Sequence, residues 1–301
     1  MTPRQRTTPA VVVVGAATRD IDANDSRGWR LGGGVTHCAR ALAGLGLTTG
    51  VVMGIEDAAA DAHELDELRG QGVLIHRVRL DQGPVFENRE SHGARIQIAH
   101  QPSDQMPADA IPTEWRETCA MLLTPVAGEL GAGWADAAPP DAIVAIDLQG
   151  LARVLVADRE VRPRRLTRTA LTERADLISV SAEDLRGGPV SIADLLVHAG
   201  QQLALTRAER GSVHIRRRDG GIDARRIPAV RSRRLVSAVG AGDTFVAAWL
   251  AATLMLRTFH DSDPDGWRAL HLASLASSLV VERTPISRAA IRRHLAGESL
   301  L

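Results

Sequence analysis

The run VVVV at 11–14, closed by Gly15, is β-branched throughout and has no polar alternation, the pattern of a strand buried on both faces in a parallel sheet. Beyond Gly32, Gly33 and Gly34, the stretch THCARALAGLG sets apolar residues at helical spacing and stops at Gly46, the place of a C-terminal cap. TTGVVMG then reads as a strand, 61–70 as a helix whose acidic start and arginine end suit its dipole, and GVLIHRVRL as another strand. Between 81 and 102 the helical period gives way to short segments interrupted by polar residues, which predicts antiparallel strands projecting as a small lid. From Thr118 the alternation resumes with CAMLLTPV and AIVAIDL, separated by turn residues Gly131, Gly133, Pro139 and Pro140, and continues through ADLISV, QLALTR and SVHIRRR. Long apolar faces at 243–256 and 266–281 make the last third mostly helical. The expectation is an α/β fold: one domain over 1–301 with a doubly wound, mostly parallel sheet flanked by helices and lid strands within 16–31 and 81–102. Its sites then sit at the carboxyl ends of the strands.

Composition narrows the chemistry. All 36 basic residues are Arg, because the chain has no Lys, and they balance 36 acidic residues. Without Lys there is no P-loop lysine, no Schiff-base nucleophile and no strand lysine of a protein kinase. Neutral net charge gives no field for nucleic acid, and the Arg-rich stretches at 216–218 and 225–234 lack interleaved aromatics for stacking, so they read as a solvated face. Cys38 and Cys119 stand in unrelated contexts, and the ten His lack HxH or HExxH spacing, so neither a disulfide framework nor a histidine-built metal site is expected. The apolar start at Val11 is too short for a signal-peptide core or a membrane span, and a cytoplasmic protein, monomer or homodimer, acting on a small molecule is expected.

The segment Ser237-Ala-Val-Gly-Ala-Gly-Asp-Thr stands immediately before the long apolar helix. Small residues at Gly240, Ala241 and Gly242 leave amide N–H groups at a helix start free to meet negative charge, which makes an anion site. Asp243 in the same turn is either a cap or a base that takes the proton of a substrate hydroxyl while the amides hold a phosphoryl group.

These residues resemble the second motif of the ribokinase/PfkB family of carbohydrate kinases, and Gly32-Gly33-Gly34-Val35-Thr36-His37-Cys38-Ala39 through Leu45-Gly46 resembles its first. The opening VVVVGAATRD is similar to the family's first strand, with Gly15 and Asp20 at the matching places. The resemblance implies an ATP-dependent kinase in which Asp20, the Gly32–Gly33 backbone and His37 hold the acceptor. Asp243 would deprotonate the acceptor, and the turn from Gly240 through Ala241 to Gly242 would bind the transferring phosphate. It implies Mg²⁺ held indirectly, through water, at the place of the family's Asn-x-x-Glu: here Ser181 replaces Asn and Asp184 replaces Glu, with Glu183 one position earlier as the other candidate. On the nucleotide side the family's Thr-x-Gly turn corresponds to Thr206-Arg207-Ala208, with Gly211 further on. Ser237, in place of a leading Asp, weakens carry-over of the monovalent-cation site and leaves potassium dependence open. PVAGELG, AIDLQGLARVL and ISVSAED look like the branch that includes myo-inositol kinases, which implies a sugar or polyol acceptor; Asp147 and Gln149 in the second of these face either the nucleotide or only their own turn. A sugar- or nucleotide-binding regulator without turnover is the alternative on the same fold.

Overall fold

The computed structural model describes residues 8–91, 94–258 and 266–298. The chain begins with β1 (Val11–Ala16), β2 (Thr18–Ile21), β3 (Trp29–Gly32), α1 (Gly34–Gly44), β4 (Thr49–Glu56), α2 (His63–Gly70) and β5 (Leu74–Leu80). It continues with β6 (Val85–Ser91), β7 (Ala94–Gln101), β8 (Ala120–Leu123), β9 (Ile143–Asp147) and three short strands, β10 (Arg153–Val154), β11 (Arg159–Glu160) and β12 (Arg162–Pro163). Then come α3 (Ala170–Arg174), β13 (Leu177–Ser181), α4 (Ile192–Leu195), β14 (Gln202–Thr206), β15 (Ser212–Arg218), β16 (Gly221–Ile227), α5 (Ala241–Thr258), α6 (Trp267–Val281) and α7 (Arg288–Glu298).

Nine strands form the main sheet in the order β16-β15-β14-β13-β9-β8-β1-β4-β5. It is parallel from β14 to β5, and β15 and β16 close one edge as an antiparallel hairpin. β1 explains the unbroken valine run: Val11 and Val13 enter one core with α1, α5 and α6, while Val12 and Val14 enter the other with Trp134, Leu148 and Leu171. A strand that feeds two cores has no solvent face to mark with polar residues. The chain leaves β1 toward β4 and β5 and returns through β8 on β1's other side, so the strand order reverses beside β1. The crevice outside the carboxyl ends opens at such a reversal.

The lid is larger than the small one expected from the sequence pattern. It is a five-stranded sheet in the order β11-β7-β6-β2-β3. Its edge strand β11 comes from beyond β9 and pairs antiparallel with β7, Arg159 opposite Ala99 and Glu160 opposite Ile98. Two residues of strand carry no readable period, which is why the pattern alone misses it. The 216–218 stretch also differs from a purely solvated face, because Arg217 is half-buried and its Nη1 donates to the Leu196 carbonyl at 2.9 Å. Among the described residues no helix is long and apolar enough to cross a membrane.

Candidate active site

In-register parallel pairing aligns the strand ends. Ser179 pairs with Asp147 and Ser181 with Thr206, so β9, β13 and β14 deliver Asp147, Ser181 and Thr206 to one rim. Opposite them stand the start of α1, the start of α5 and the lid, and together they enclose a cavity of about 260 Å³. Asp20, Gly33 and His37 line it from the first half of the chain, Ser181, Glu183, Asp184 and Thr206 from the sheet, and Gly240, Gly242 and Asp243 from the turn before α5.

The glycines of the two motifs are spacers for each other's functional side chains. A Cβ on Gly34 would lie 2.9 Å from Asp243 Oδ1, and one on Gly240 would lie 2.7 Å from His37 Nδ1. Gly240 also has φ +76°, a left-handed backbone that favours glycine. A Cβ on Gly32 would strike the Asp20 carboxylate, which is itself held by the Thr18 hydroxyl at 2.8 Å. Cys38 completes the junction: it is buried in α1 and its Sγ donates to the Asp243 carbonyl at 3.3 Å, tying α1 to the first turn of α5.

The turn itself has donors to spare. Ala241 N–H is used by the Ala238 carbonyl and Thr244 N–H by that of Gly240, whereas among the described residues the amides of Gly240 and Gly242 have no backbone acceptor. They are the N–H groups that a helix start leaves for an anion. Burial raises the Asp243 carboxyl above the usual carboxylate range, opposed by the nearby positive charges of His37 and Arg153. A carboxylate raised in this way is a better proton acceptor than an exposed one.

Asp147 and Asp184 settle differently. Asp147 Oδ1 accepts the Gln149 N–H at 2.8 Å, so the carboxylate closes a turn as well as lining the cavity. Burial first, then the charges of Asp243 and Asp184, push it up to about 8. Asp184 Oδ2 accepts from the Ser181 hydroxyl at 2.6 Å and the Ser181 N–H at 2.9 Å, which leaves Oδ1 for the cleft. Glu183 lines the same cavity, but its side chain is 76% exposed and lies 3.4 Å from Arg186. Among the described residues no three His, Cys, Asp or Glu side chains come together as a direct metal site. Asp184 as the inward carboxylate and Glu183 as the outer one are hard oxygen donors of the kind that suits a hydrated divalent ion such as Mg²⁺.

Comparison with known proteins bears on this geometry. Residues 149–289 match the model of the pfkB family carbohydrate kinase. Comparison with curated protein sequences gives no match. The structure superimposes on a pyrophosphate-dependent ribokinase-family kinase complexed with a pyrophosphate analogue and myo-inositol, with TM-score 0.71 and 19% identity over 94% of this chain and 99% of that one. It superimposes likewise on Giardia lamblia ribokinase, with TM-score 0.70 and 12% identity over 97% and 99% of the two chains. Arabidopsis thaliana ribokinase, complexed with ribose and ATP, gives TM-score 0.64 and 19% identity over 95% and 98%. The chain has the fold of a ribokinase-family carbohydrate kinase.

Within that fold, three of the residues expected at the site lie behind its surface. Gly32 stands against Asp20, Ala241 is the first residue of α5 and outside the lining, and Gly211 packs against the backbone of 227–229. Others that motif reading passes over are brought in: Thr18, Phe86, Asn88 and Gln97 from the lid side, and Arg153 after β9. Arg153 Nη1 donates to Gln97 Oε1 at 3.1 Å. Glu129 supports the site from below. It is fully buried and accepts the N–H of Ala16 at 3.0 Å, of Val126 at 3.1 Å and of Ala127 at 2.8 Å, holding the end of β1 to the loop after β8. Both residues lie in PVAGELG and AIDLQGLARVL, so a signal is present, but neither segment says what its charged residue does.

Proposed function

We propose that this chain, as a single kinase unit, transfers a phosphoryl group to a hydroxyl of a small sugar or polyol. The observation that carries the reading is the Asp243 carboxylate beside the unpaired Gly240 and Gly242 amides, packed against Gly34 of the first motif in one cavity with Asp20 and His37. Asp20 and His37 hold hydroxyls of the acceptor that do not react. Asp243 takes the proton of the reacting hydroxyl as its oxygen bonds to phosphorus. The bond from phosphorus to the donor's bridging oxygen breaks, and the departing phosphate keeps that electron pair. The turn amides face the phosphoryl oxygens, where charge is greatest. Asp184, with Glu183, would hold Mg²⁺ through water, and the ion when bound neutralises donor phosphates. Phe86 and Asn88 close the cavity from the lid and limit bulk water.

ATP is the first donor reading. Inorganic pyrophosphate is the second, supported by the likeness to a pyrophosphate-dependent member and by a small, mainly polar cavity with no stacking shelf for a base among its donor-side residues Ser181, Thr206 and Val239. The acceptor reading favours a cyclic polyol such as myo-inositol.

The test is turnover on a panel of polyols, pentoses, hexoses and nucleosides with Mg²⁺ and either donor. Asp243→Asn keeps the fold and donor binding and lowers kcat by about 10²–10⁴-fold, the contribution of a positioned base. Binding of an acceptor without release of ADP or phosphate would instead favour the regulator reading, which the departures at His37, Ser181 and Ser237 support.

A further inference from the structure

The charge balance of the cleft is lopsided. Among the described residues five carboxylates line it, those of Asp20, Asp147, Glu183, Asp184 and Asp243, and Arg153 is the one arginine there, in a chain without Lys. Phosphoryl transfer brings further negative charge into this space. A divalent ion answers part of it, and so do His37 on the acceptor side and the neutral form of Asp147 near neutral pH. The rest must be met by a permanent cation.

Arg153 stands where such a cation is needed. It lies six residues beyond the end of β9, half-buried, within the fields of Asp184, Asp147, Asp243 and Glu183. Yet among the described residues its guanidinium comes within 4 Å of no carboxylate. An arginine whose purpose is to neutralise buried acids sits in contact with them, because contact is what offsets the cost of burying both charges. Here the cation is held back from them, and the gap between Arg153 and the acids belongs to the cavity. Its one hydrogen bond at Nη1 goes to Gln97 of the lid, at 3.1 Å, which fixes one edge of the planar fork. The remaining donors are left for a ligand with the oxygen geometry that a guanidinium recognises.

We infer that Arg153 contacts the oxygens of the transferring phosphoryl group and is a catalytic residue, with Gln97 its positioning partner. The inference rests on the phosphotransferase reading. The contact strengthens as charge gathers in the transition state, so its effect falls on kcat more than on acceptor KM. Through Gln97 it also links lid closure to catalysis: when β7 is drawn over the acceptor, the fork is aimed.

The experiment measures wild type, Arg153→Ala and Arg153→Lys with the acceptor and donor found active in the panel. Arg153→Ala is expected to lose about 10³-fold in kcat, the lower end of what arginine contributes to phosphoryl transfer, with acceptor KM within threefold of wild type. Guanidinium chloride at sub-denaturing concentration restores part of the lost turnover in Arg153→Ala and none in wild type. Arg153→Lys keeps charge without the fork and falls between the two. If Arg153→Ala keeps kcat within threefold, or if its loss is unmoved by guanidinium while thermal stability drops, Arg153 is structural and the inference fails. If Arg153→Ala does not fold, the comparison of wild type with Arg153→Lys decides: equal kcat overturns the inference, and a drop of tenfold or more at unchanged stability supports it. If wild type turns over no acceptor, the phosphotransferase reading has failed separately. Calorimetric binding of inorganic pyrophosphate then tests Arg153 directly, with loss in Arg153→Ala supporting the contact and unchanged affinity overturning it.

Discussion

Where α1 meets α5, the molecule leaves no room for a methyl group. Gly34 faces Asp243, Gly240 faces His37, and a Cβ on Gly15 would come 2.6 Å from the Thr124 carbonyl oxygen. Behind these contacts the helix faces are fully buried, with Val35, Cys38 and Leu42 against Val246 and Leu250. Across the cleft the lid is held by polar bonds at its surface. Arg89 pairs with Glu87, His100 bridges Glu87 and Asp158, and Gln97 Nε2 donates to Asn88 Oδ1 at 3.2 Å. At the lid's root Arg19 pairs with Glu56, and Gln101 Nε2 donates to the same carboxylate at 2.9 Å. Excluded volume and dispersion fix the floor, and neither pH nor salt moves them much. In the lid, charged hydrogen bonds add to the backbone pairing of its strands, and both pH and salt move that added part. The groups to which the proposed reading gives the chemistry rest on the first kind of support, and the lid adds the second to its own.

The largest effect expected from breaking this division is at Glu129, the buried polar strut under the floor. Burial raises its carboxyl, against the backbone N–H groups of Ala16, Ala127 and Val126 that favour the charged form. Glu129→Ala leaves the donors of Ala16 and Val126 buried and that of Ala127 half-buried without partners, at about 1 kcal/mol or more each. Unfolding in urea should show a loss on the order of 3 kcal/mol, and a loss below about 1 kcal/mol would show that water or the loop replaces the carboxylate. Glu129→Gln, which keeps one acceptor oxygen, falls between.

Glu129 also marks where sequence reading stops. The Gly240–Asp243 turn is legible because its parts are contiguous: small residues, an acid and a long apolar helix can be read in one window. The two-motif pairing is legible as order along the chain, but not as the fact that Gly34 and Gly240 each clear space for the other motif's side chain. Glu129 and Arg153 are illegible as functional because what surrounds them comes from afar, Ala16 for the one and Gln97 for the other. The layered architecture follows from the valine run and the helix faces. The edge strand β11 does not, since two residues hold no period and their partner is decided by the lid's shape. Ser181 and Asp184 show an intermediate case. Their substitution for Asn and Glu is visible, and the Ser181 bonds that turn Asp184 inward are not.

A middle-sized effect sharpens the comparison from the cleft wall. With its folded value raised to about 8, Asp147 binds a proton in the native state that the unfolded chain releases near pH 4. The native state therefore carries more protons across the window from about pH 4 to about pH 8, and stability falls with rising pH through that window. Asp147→Asn imitates the protonated form and can still accept the Gln149 N–H. Its thermal midpoint should match wild type near pH 4 and exceed it increasingly toward pH 8, so the variant's curve is flatter. Parallel curves for the two proteins would mean that the carboxyl is not raised. Any gain in stability with a loss in turnover would mark Asp147 as a strain carried for function.

The smallest effect belongs to the lid. His100 is raised above its ordinary value by Asp158 first and Glu87 second, through bonds of 3.0 and 2.8 Å. For a histidine the sign runs opposite to that of a carboxyl lowered by a partner: the stabilisation is fully present below about pH 6.5 and is lost as pH rises through the folded value. His100 is 32% exposed and Asp158 79% exposed, so solvent screens the bridge and its worth is a few tenths of a kcal/mol, less in salt. A global melt will barely register that. Amide hydrogen exchange will, because β11 is a two-residue edge strand whose one strand partner among the described residues is β7, and such an edge opens locally before the sheet does. His100→Ala should speed exchange in β7 and β11 relative to wild type at pH 6, with the difference closing by pH 8.5 and in 0.5 M salt. The amides of α1 and α5 should not change at either pH. If they exchange faster in the variant, the floor and the lid are one cooperative unit, and the separation between a packed base for chemistry and an ionic cover for access does not hold.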